Sequence, residues 1–430
     1  MSEINKSSDF DIKSLSLYTS DGQTIDLRAI ALEIDIFENI FSPCMTCSIA
    51  VNDGNDLLST FKFHGNEFLE LEIDKPSLDE PIKKVFRLYK IGNRDFSTNY
   101  QNYTMHFCSE ELILSPQIKV SKSYRGLKIS QIISDLLTSY LKVDNKKINK
   151  IQKTEKAFDI IIPKMDPLQA IMWLVTKAYS KNESLFFFFE NRDGFNFVSY
   201  ENLIKLKPYS KYAKDFKLEN DDVFRNMTSF NFLKVMKEFD TLDSSRNGSF
   251  SSSIVNLNLI TKKMKVSNYN AVKFKEKGVL NQEVTMNTFK NRLDKTFYDS
   301  YQNMMKYCIT TDADGTKNPM LPEEWLSQTA SKMGQLTLFK MVGTVPGDIL
   351  LKAGLVVEVE LPDSKPIDQD AKVEINETRS GKYLVSSVHH KFTMNESVYA
   401  TVLELLSDSI NEPMPAPKNN LDKLRELAKL

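Results

Sequence analysis

Two stretches near opposite ends of the chain carry the same succession of strand signals, and this repeat limits the fold more than any other feature. Residues 65–76 run from a glycine turn at Gly65, through an alternating strand with Glu70 and Glu72 on one face, to a stop at Pro76. Residues 353–362 do the same, with Gly354, then Glu358 and Glu360 on one face, then Pro362. Such period-two alternation belongs to a strand buried on one side. Residues 85–91 match residues 382–388 as the following strand. Phe96 and Tyr103 stand seven residues apart, as do Phe392 and Tyr399. Each stretch closes with a further strand and then a proline, Pro116 in one and Pro413 in the other. β-Hairpins share a restricted grammar, but several matches in one order predict two copies of a β-domain.

The remaining patterns fall between and around these copies. In the first 116 residues, Ile30, Leu32, Ile34 and Ile36 alternate with Ala31, Glu33 and Asp35. A strand over 44–51 precedes a turn at Asn52-Asp53-Gly54, and Leu57, Leu58 and Phe61 suggest one short helix. Strands over 68–73, 84–94 and 102–111 complete an antiparallel sheet or barrel built from hairpins. After Pro116 the period changes. Ile129, Ile132, Ile133, Leu136, Leu137 and Tyr140 form a helical stripe. Asp166-Pro167 starts another helix, with Asp as N-cap, Pro at the first helical position, and Leu168, Ile171, Met172 and Val175 on the apolar face. Asn191-Arg192-Asp193-Gly194 is the turn of a hairpin.

Strands resume from Val223 to Phe239, and the Ser-rich stretch 244–253 predicts an exposed loop or hairpin tip. Phe289, Leu293, Phe297, Tyr301, Met305 and Cys308 share one face of a predicted helix over 281–308. Pro322 opens a second, shorter helix, and strands return from Leu336 to Asp408. Pro413, Pro415 and Pro417 make a stiff linker to a terminal amphipathic helix marked by Leu421, Leu424, Leu427 and Leu430. That helix either docks in a partner's groove or folds back on its own subunit. The domains so defined are 1–116, a first β-domain; 117–222, an α+β module; 223–260 with 335–412, the second β-domain; 261–334, a helical insertion; and 413–430, the linker and terminal helix.

Composition narrows the chemistry. With 56 basic and 57 acidic residues the formal charge is -1, which gives no general attraction to nucleic acid or an anionic membrane but leaves room for DNA passing through a pore. Residues 1–11 lack a signal-peptide pattern, and no apolar run reaches the roughly 18 residues of a membrane span. The expectation is a soluble cytoplasmic product. Cys44, Cys47, Cys108 and Cys308 then read as small buried residues. Cys44 and Cys47 look like half of a metal site, but no second pair exists. His389 and His390 are adjacent on a strand and point to opposite faces, and His64 and His106 are isolated. Asp312, Asp314 and Gly315, with Glu323 at the twelfth position, imitate a calcium loop whose glycine is misplaced, so a solvated loop is expected. There is no phosphate-binding glycine loop and no nucleophile elbow. No catalytic, cofactor or metal residue is assigned, and no enzyme is expected.

Segments 37–53 (FENIFSPCMTCSIAVND), 120–129 (VSKSYRGLKI), 345–362, 382–392 and 398–406 together carry a family likeness. Here the chain resembles the tail hub proteins of T-even-like contractile-tailed phages, which are related in fold to the hub portion of type VI secretion spike proteins. The likeness spans residues 15–408. It implies an α+β, mainly β fold. Two tube-type antiparallel β-barrel domains would line a channel, with the α+β and helical modules inserted. It implies a homotrimer that binds a tail spike protein on one side and tail-tube or tube-initiator proteins on the other, among other baseplate proteins. The place implied is the tail baseplate of the virion, after synthesis in the host cytoplasm. DNA would pass in transit without specific binding, with no cofactor and no membrane insertion. Three chains with two equivalent domains each would present six near-equivalent units around one axis. Glu70, Glu72, Glu358 and Glu360 would then either line the lumen, repelling DNA, or simply face solvent. Two alternatives stay open: the hub of a phage-like injection or secretion device, and a tail-associated cell-wall hydrolase. The hydrolase would need a catalytic constellation within 117–222 or 260–334.

Overall fold

The computed structural model describes residues 10–75, 81–180, 183–214, 228–271, 279–281, 298, 305–310, 322–363 and 375–411. Strands dominate it. The N-terminal set comprises β1 (Asp11–Tyr18), β2 (Thr24–Asp26), β3 (Ala31–Asn39), β4 (Thr46–Asp53), β5 (Phe68–Asp74), β6 (Ile82–Phe96) and β7 (Gln101–Cys108). The middle module contains β8 (Val120–Lys128), β9 (Ile148–Ile151), β10 (Ala157–Met165), β11 (Phe186–Asn191) and β12 (Gly194–Ser199). The C-terminal part holds β13 (Lys211–Ala213), β14 (Phe232–Lys237), β15 (Ser251–Asn258), β16 (Met264–Asn270), β17 (Met305–Thr310), β18 (Phe339–Pro346), β19 (Val356–Glu360), β20 (Gly381–Thr393) and β21 (Val398–Ser407).

The predicted duplication is visible in the strand ladder. The order β3-β4-β7-β6-β5 in one set corresponds to β14-β18-β21-β20-β19 in the other, antiparallel at every step. The registers agree as well, except that Tyr399 corresponds to Gln101 and not to Tyr103, since Phe96 pairs with Gln101 where Phe392 pairs with Tyr399. Glu70 pairs with Val85 as Glu358 pairs with Lys382, and Leu88 pairs with Phe107 as Val385 pairs with Leu405. In both copies the next residue, Tyr89 or Ser386, is skipped by the ladder. A bulge at the same place in the same register is hard to obtain except by copying, because a one-residue slip would turn every following side chain to the other face.

The two sets are not separate bodies. They share one 13-stranded sheet, and no closed barrel forms among the described residues. The join is made by β20, whose first residues pair with β19 and whose later residues, Ser387–Thr393, pair with β3 along the same edge. Cores follow the same division. Ile34, Ile36, Ile49, Leu69, Leu71, Phe86, Leu88 and Phe107 are buried together with Phe392 and Tyr399 from the other set. Val357, Val359, Tyr383, Val385, Leu403 and Leu405 make a second core.

Several local expectations change. The alternation around Ile30 is out of phase. The ladder shifts between Ala31 and Glu33, so Ala31, Ile34 and Ile36 are buried while Leu32 is not. β7 ends at Cys108, and Glu110–Leu114 is helical rather than a continued strand. The Ser-rich stretch 244–253 is not an exposed loop. It contains the end of the helix Thr241–Arg246 and the start of β15, with Ser249, Ser251, Ser252 and Ser253 buried. Small hydroxyl side chains there let the helix Pro322–Leu336 approach closely. Ser252 and Ser327 share a 2.8 Å hydrogen bond, and Ser331 Oγ donates to the Ser249 carbonyl at 2.7 Å. Met305 and Cys308 do not lie on a helix; they fall in β17, parallel to β15. The strand wins because an open edge of β15 satisfies its backbone groups. The other residues of that predicted helix face, the Asp312 loop, and Leu421, Leu424, Leu427 and Leu430 lie outside the described residues. Of the stretch 223–260, β14 joins the large sheet, whereas β15 forms a small sheet with β16 and β17.

In the middle module the expected helix runs over Ile129–Asp135 and continues as a π-helical turn, Leu136–Tyr140. Asp166 caps the helix Pro167–Val175 by accepting from the Gln169 N–H. β11 and β12 are buried on both faces. Phe186 and Phe188 pack into the module core, while Phe187 and Phe189 pack into a seam with Val356, Leu384 and Leu406 of the large sheet. Alternation of side chains explains why this hairpin is apolar at every position.

Candidate assembly surfaces

The most elaborated polar constellation lies where the hairpin turn of the middle module meets the β3–β20 junction. β3 delivers Glu38 to that point on its buried face. The Glu38 carboxylate accepts the backbone N–H of Arg192 at 2.7 Å and that of Ala353 at 2.8 Å. One carboxylate thus ties together the first strand set, the module and the second set. Burial pushes its pKa up to about 7, against the lowering effect of those two N–H donors. From the turn, Arg192 Nη1 donates to the Ile349 carbonyl at 2.9 Å, Asn191 Nδ2 donates to the Ala353 carbonyl at 3.2 Å, and Asp193 pairs with Lys352. Gly194 is required here. Its φ is +121°, and a Cβ would stand 2.1 Å from the Lys147 carbonyl oxygen. Next to the same turn, Glu190 accepts from Ser109 Oγ and, at 3.0 Å, from the Met45 N–H; burial raises its pKa too.

Along the junction itself, His389 contacts the Asp35 carboxylate and stacks on Phe37 at 4.4 Å, and Lys391 pairs with Glu33 at 2.7 Å. His390 points the other way, into the core, where its Nδ1 lies 2.8 Å from the Tyr399 hydroxyl. Burial drives the His390 pKa down to about 3, so it is neutral. Cys47 is buried in the core of the first set and Cys44 in that of the module, with Cys108 also free and buried. Burial pushes the Cys44 and Cys47 thiols up. Among the described residues no three His, Cys, Asp or Glu side chains converge as a metal site. No described helix is long and apolar enough to cross a membrane.

Glu70 and Glu72 stand on the outer face of β5, opposite the buried Leu69, Leu71 and Ile73. Glu358 and Glu360 hold the same place on β19. Lysines are interleaved with them. Lys83 bridges to Glu70 at 2.7 Å, Lys211 bridges to Glu360 at 2.6 Å, and Lys382 lies opposite Glu358 in the ladder. The face is therefore a mixed-charge surface rather than a purely acidic one. Sequence reasoning missed Glu38 and Arg192. The signal for Glu38 was its even spacing from Ile34 and Ile36, which puts a carboxylate on the buried face.

No family model and no curated protein matches the chain. Solved structures do. A tail protein from Neisseria meningitidis MC58 is 13% identical with a TM-score of 0.53, over 93% of this chain and 97% of that one. A 43 kDa tail protein from the prophage MuSo2 of Shewanella oneidensis is 9% identical with a TM-score of 0.52, over 93% of this chain and 100% of that one. A type VI secretion component of E. coli is 8% identical with a TM-score of 0.44, over 95% of this chain and 80% of that one. Over 93% of its length the chain shares the fold of these two tail proteins.

Proposed function

We propose that this chain is the structural hub of a contractile-tail baseplate. Three copies close into a ring of six near-equivalent units, join the tail tube to the central spike, and leave a channel for DNA. The observation that carries this reading is the internal duplication, matched in strand order, direction, register and bulge. A chain with two like units is the economical way to fit a threefold spike to a sixfold tube. In this reading each strand set is a tube-type domain curved around the channel, and the outer faces of β5 and β19, with Glu70, Glu72, Glu358 and Glu360, look into the lumen. The terminal helix with Leu421, Leu424, Leu427 and Leu430 docks on a neighbouring baseplate protein. Function rests on contacts rather than catalysis. Glu38 and Arg192 are committed to joining the parts of one chain.

The test is the mass of the purified particle, alone and with its spike, followed by imaging of its symmetry. A trimer with six similar lobes is expected. A strictly monomeric protein that also fails to bind spike or tube would refute the hub. Clearing of peptidoglycan in a gel overlay would refute the non-enzymatic reading.

A further inference from the structure

The two strand sets are alike except in how one edge is used. On β20 that edge is filled along its length, first by β19 and then by β3. On its counterpart β6 the first part is filled by β5, and among the described residues nothing pairs with 90–96 on that side. At the far end of the sheet, β14 is the counterpart of β3. It pairs with β18 alone among the described residues. Among the described residues two edges are thus open. They are the counterparts of the two strands that meet in its interior. We propose that β14 of one copy adds in antiparallel fashion to the open edge of β6 in the next copy, repeating between chains the junction that β3 and β20 make within one. This deepens the hub reading, on which it rests.

The internal junction also supplies the register. Within the chain Lys391 lies opposite Asp35, and Phe392 opposite Ile34. Through β7 and β21 the counterpart of Lys391 is Asp95 and that of Phe392 is Phe96. Through β4 and β18 the counterparts of Asp35 and Ile34 are Lys234 and Leu233. β6 has one residue more between Gly92 and Asp95 than β20 has between His389 and Lys391, so the match is fixed through the partner strands and not by counting. The interchain pairs are then Asp95 with Lys234 and Phe96 with Leu233. Opposite charges still face each other, with their signs exchanged. Both edges carry apolar side chains in water: Phe96 is 74% exposed, Phe232 53% and Met236 52%. Uncovered edges of this kind are normally blunted or covered. The joined surfaces differ, so addition continues head to tail until a ring closes.

Cysteine cross-linking of the full chain tests this directly. Cross-strand neighbours lie within about 4.5–5.5 Å, inside disulfide reach. Under mild oxidation the double variant Asp95→Cys, Lys234→Cys should give a ladder of linked chains ending at the ring. A mixture of the two single variants should give linked dimers and nothing larger, and the unsubstituted chain no ladder. In parallel, Asp95→Lys should weaken self-association about tenfold, and adding Lys234→Asp should restore it. A ring of normal mass that neither cross-links nor responds to the charge exchange overturns this edge pairing and leaves the hub reading standing. A chain that stays monomeric at every concentration overturns both.

Discussion

Replacing Glu38 by glutamine should make the stability of this protein depend less on pH, in a direction set by burial. Glu38 is 1% exposed and holds two backbone N–H groups. Its pKa is raised from 4.5 to about 7, chiefly by desolvation. A carboxyl whose folded pKa exceeds its unfolded value contributes most below the unfolded pKa. That contribution is lost as pH rises through the folded pKa. The window is therefore pH 4.5 to 7. A shift of this size corresponds to a loss of about 3 kcal/mol across it. Glutamine cannot ionise, but it presents one acceptor oxygen where the carboxyl has two. One buried N–H then loses its partner, at a cost of about 1–3 kcal/mol. At pH 4.5 the variant should be the less stable protein. At pH 8 it should equal or exceed the parent. Guanidinium unfolding of both proteins at the two pH values measures the difference directly, and subtraction removes the other carboxylates with raised pKa values, Glu183, Glu190 and Asp408. A difference between the two proteins that does not change with pH would refute the argument that burial raises the Glu38 pKa above its unfolded value.

Phe188→Ala should cost about 3–5 kcal/mol in thermal or chemical unfolding, because Phe188 is fully buried and stacks on Phe195 at 5.7 Å; a loss below 1 kcal/mol would mean that the module core collapses around the hole. Gly194→Ala should destabilise by about 3 kcal/mol, through the positive φ and the clash with the Lys147 carbonyl, and hydrogen exchange should show the β11–β12 hairpin loosened first. Asp166→Ala should cost about 1 kcal/mol, since it removes the cap on the helix Pro167–Val175 and the acceptor of Ser115 Oγ; unchanged denaturant midpoints would count against the cap.

What the sequence determined by itself was local and periodic. The two-residue alternation marked β5 and β19 and their outward glutamates. The 3.6-residue stripe marked Ile129–Tyr140, and Asp166-Pro167 marked a helix start, because each of these depends only on neighbours along the chain. The turn of a hairpin was legible at Asn191–Gly194. Order in the chain was enough to reveal that one β-unit occurs twice. Tertiary structure alone decided how the units meet. Nothing local says that β20 is long enough to hold β19 and β3 on one edge, or that residues 305–310 take the open edge of β15 instead of continuing a helix. Nor does it say that buried serines sit under a helix. The inward glutamate of β3 is the same case: its spacing was readable, but its partners Arg192 and Ala353 come from 154 and 315 residues away. Hydrogen-bond donors from such distances converge only when packing has closed the chain, and it is that closure, not the strand pattern, that makes a buried carboxylate tolerable.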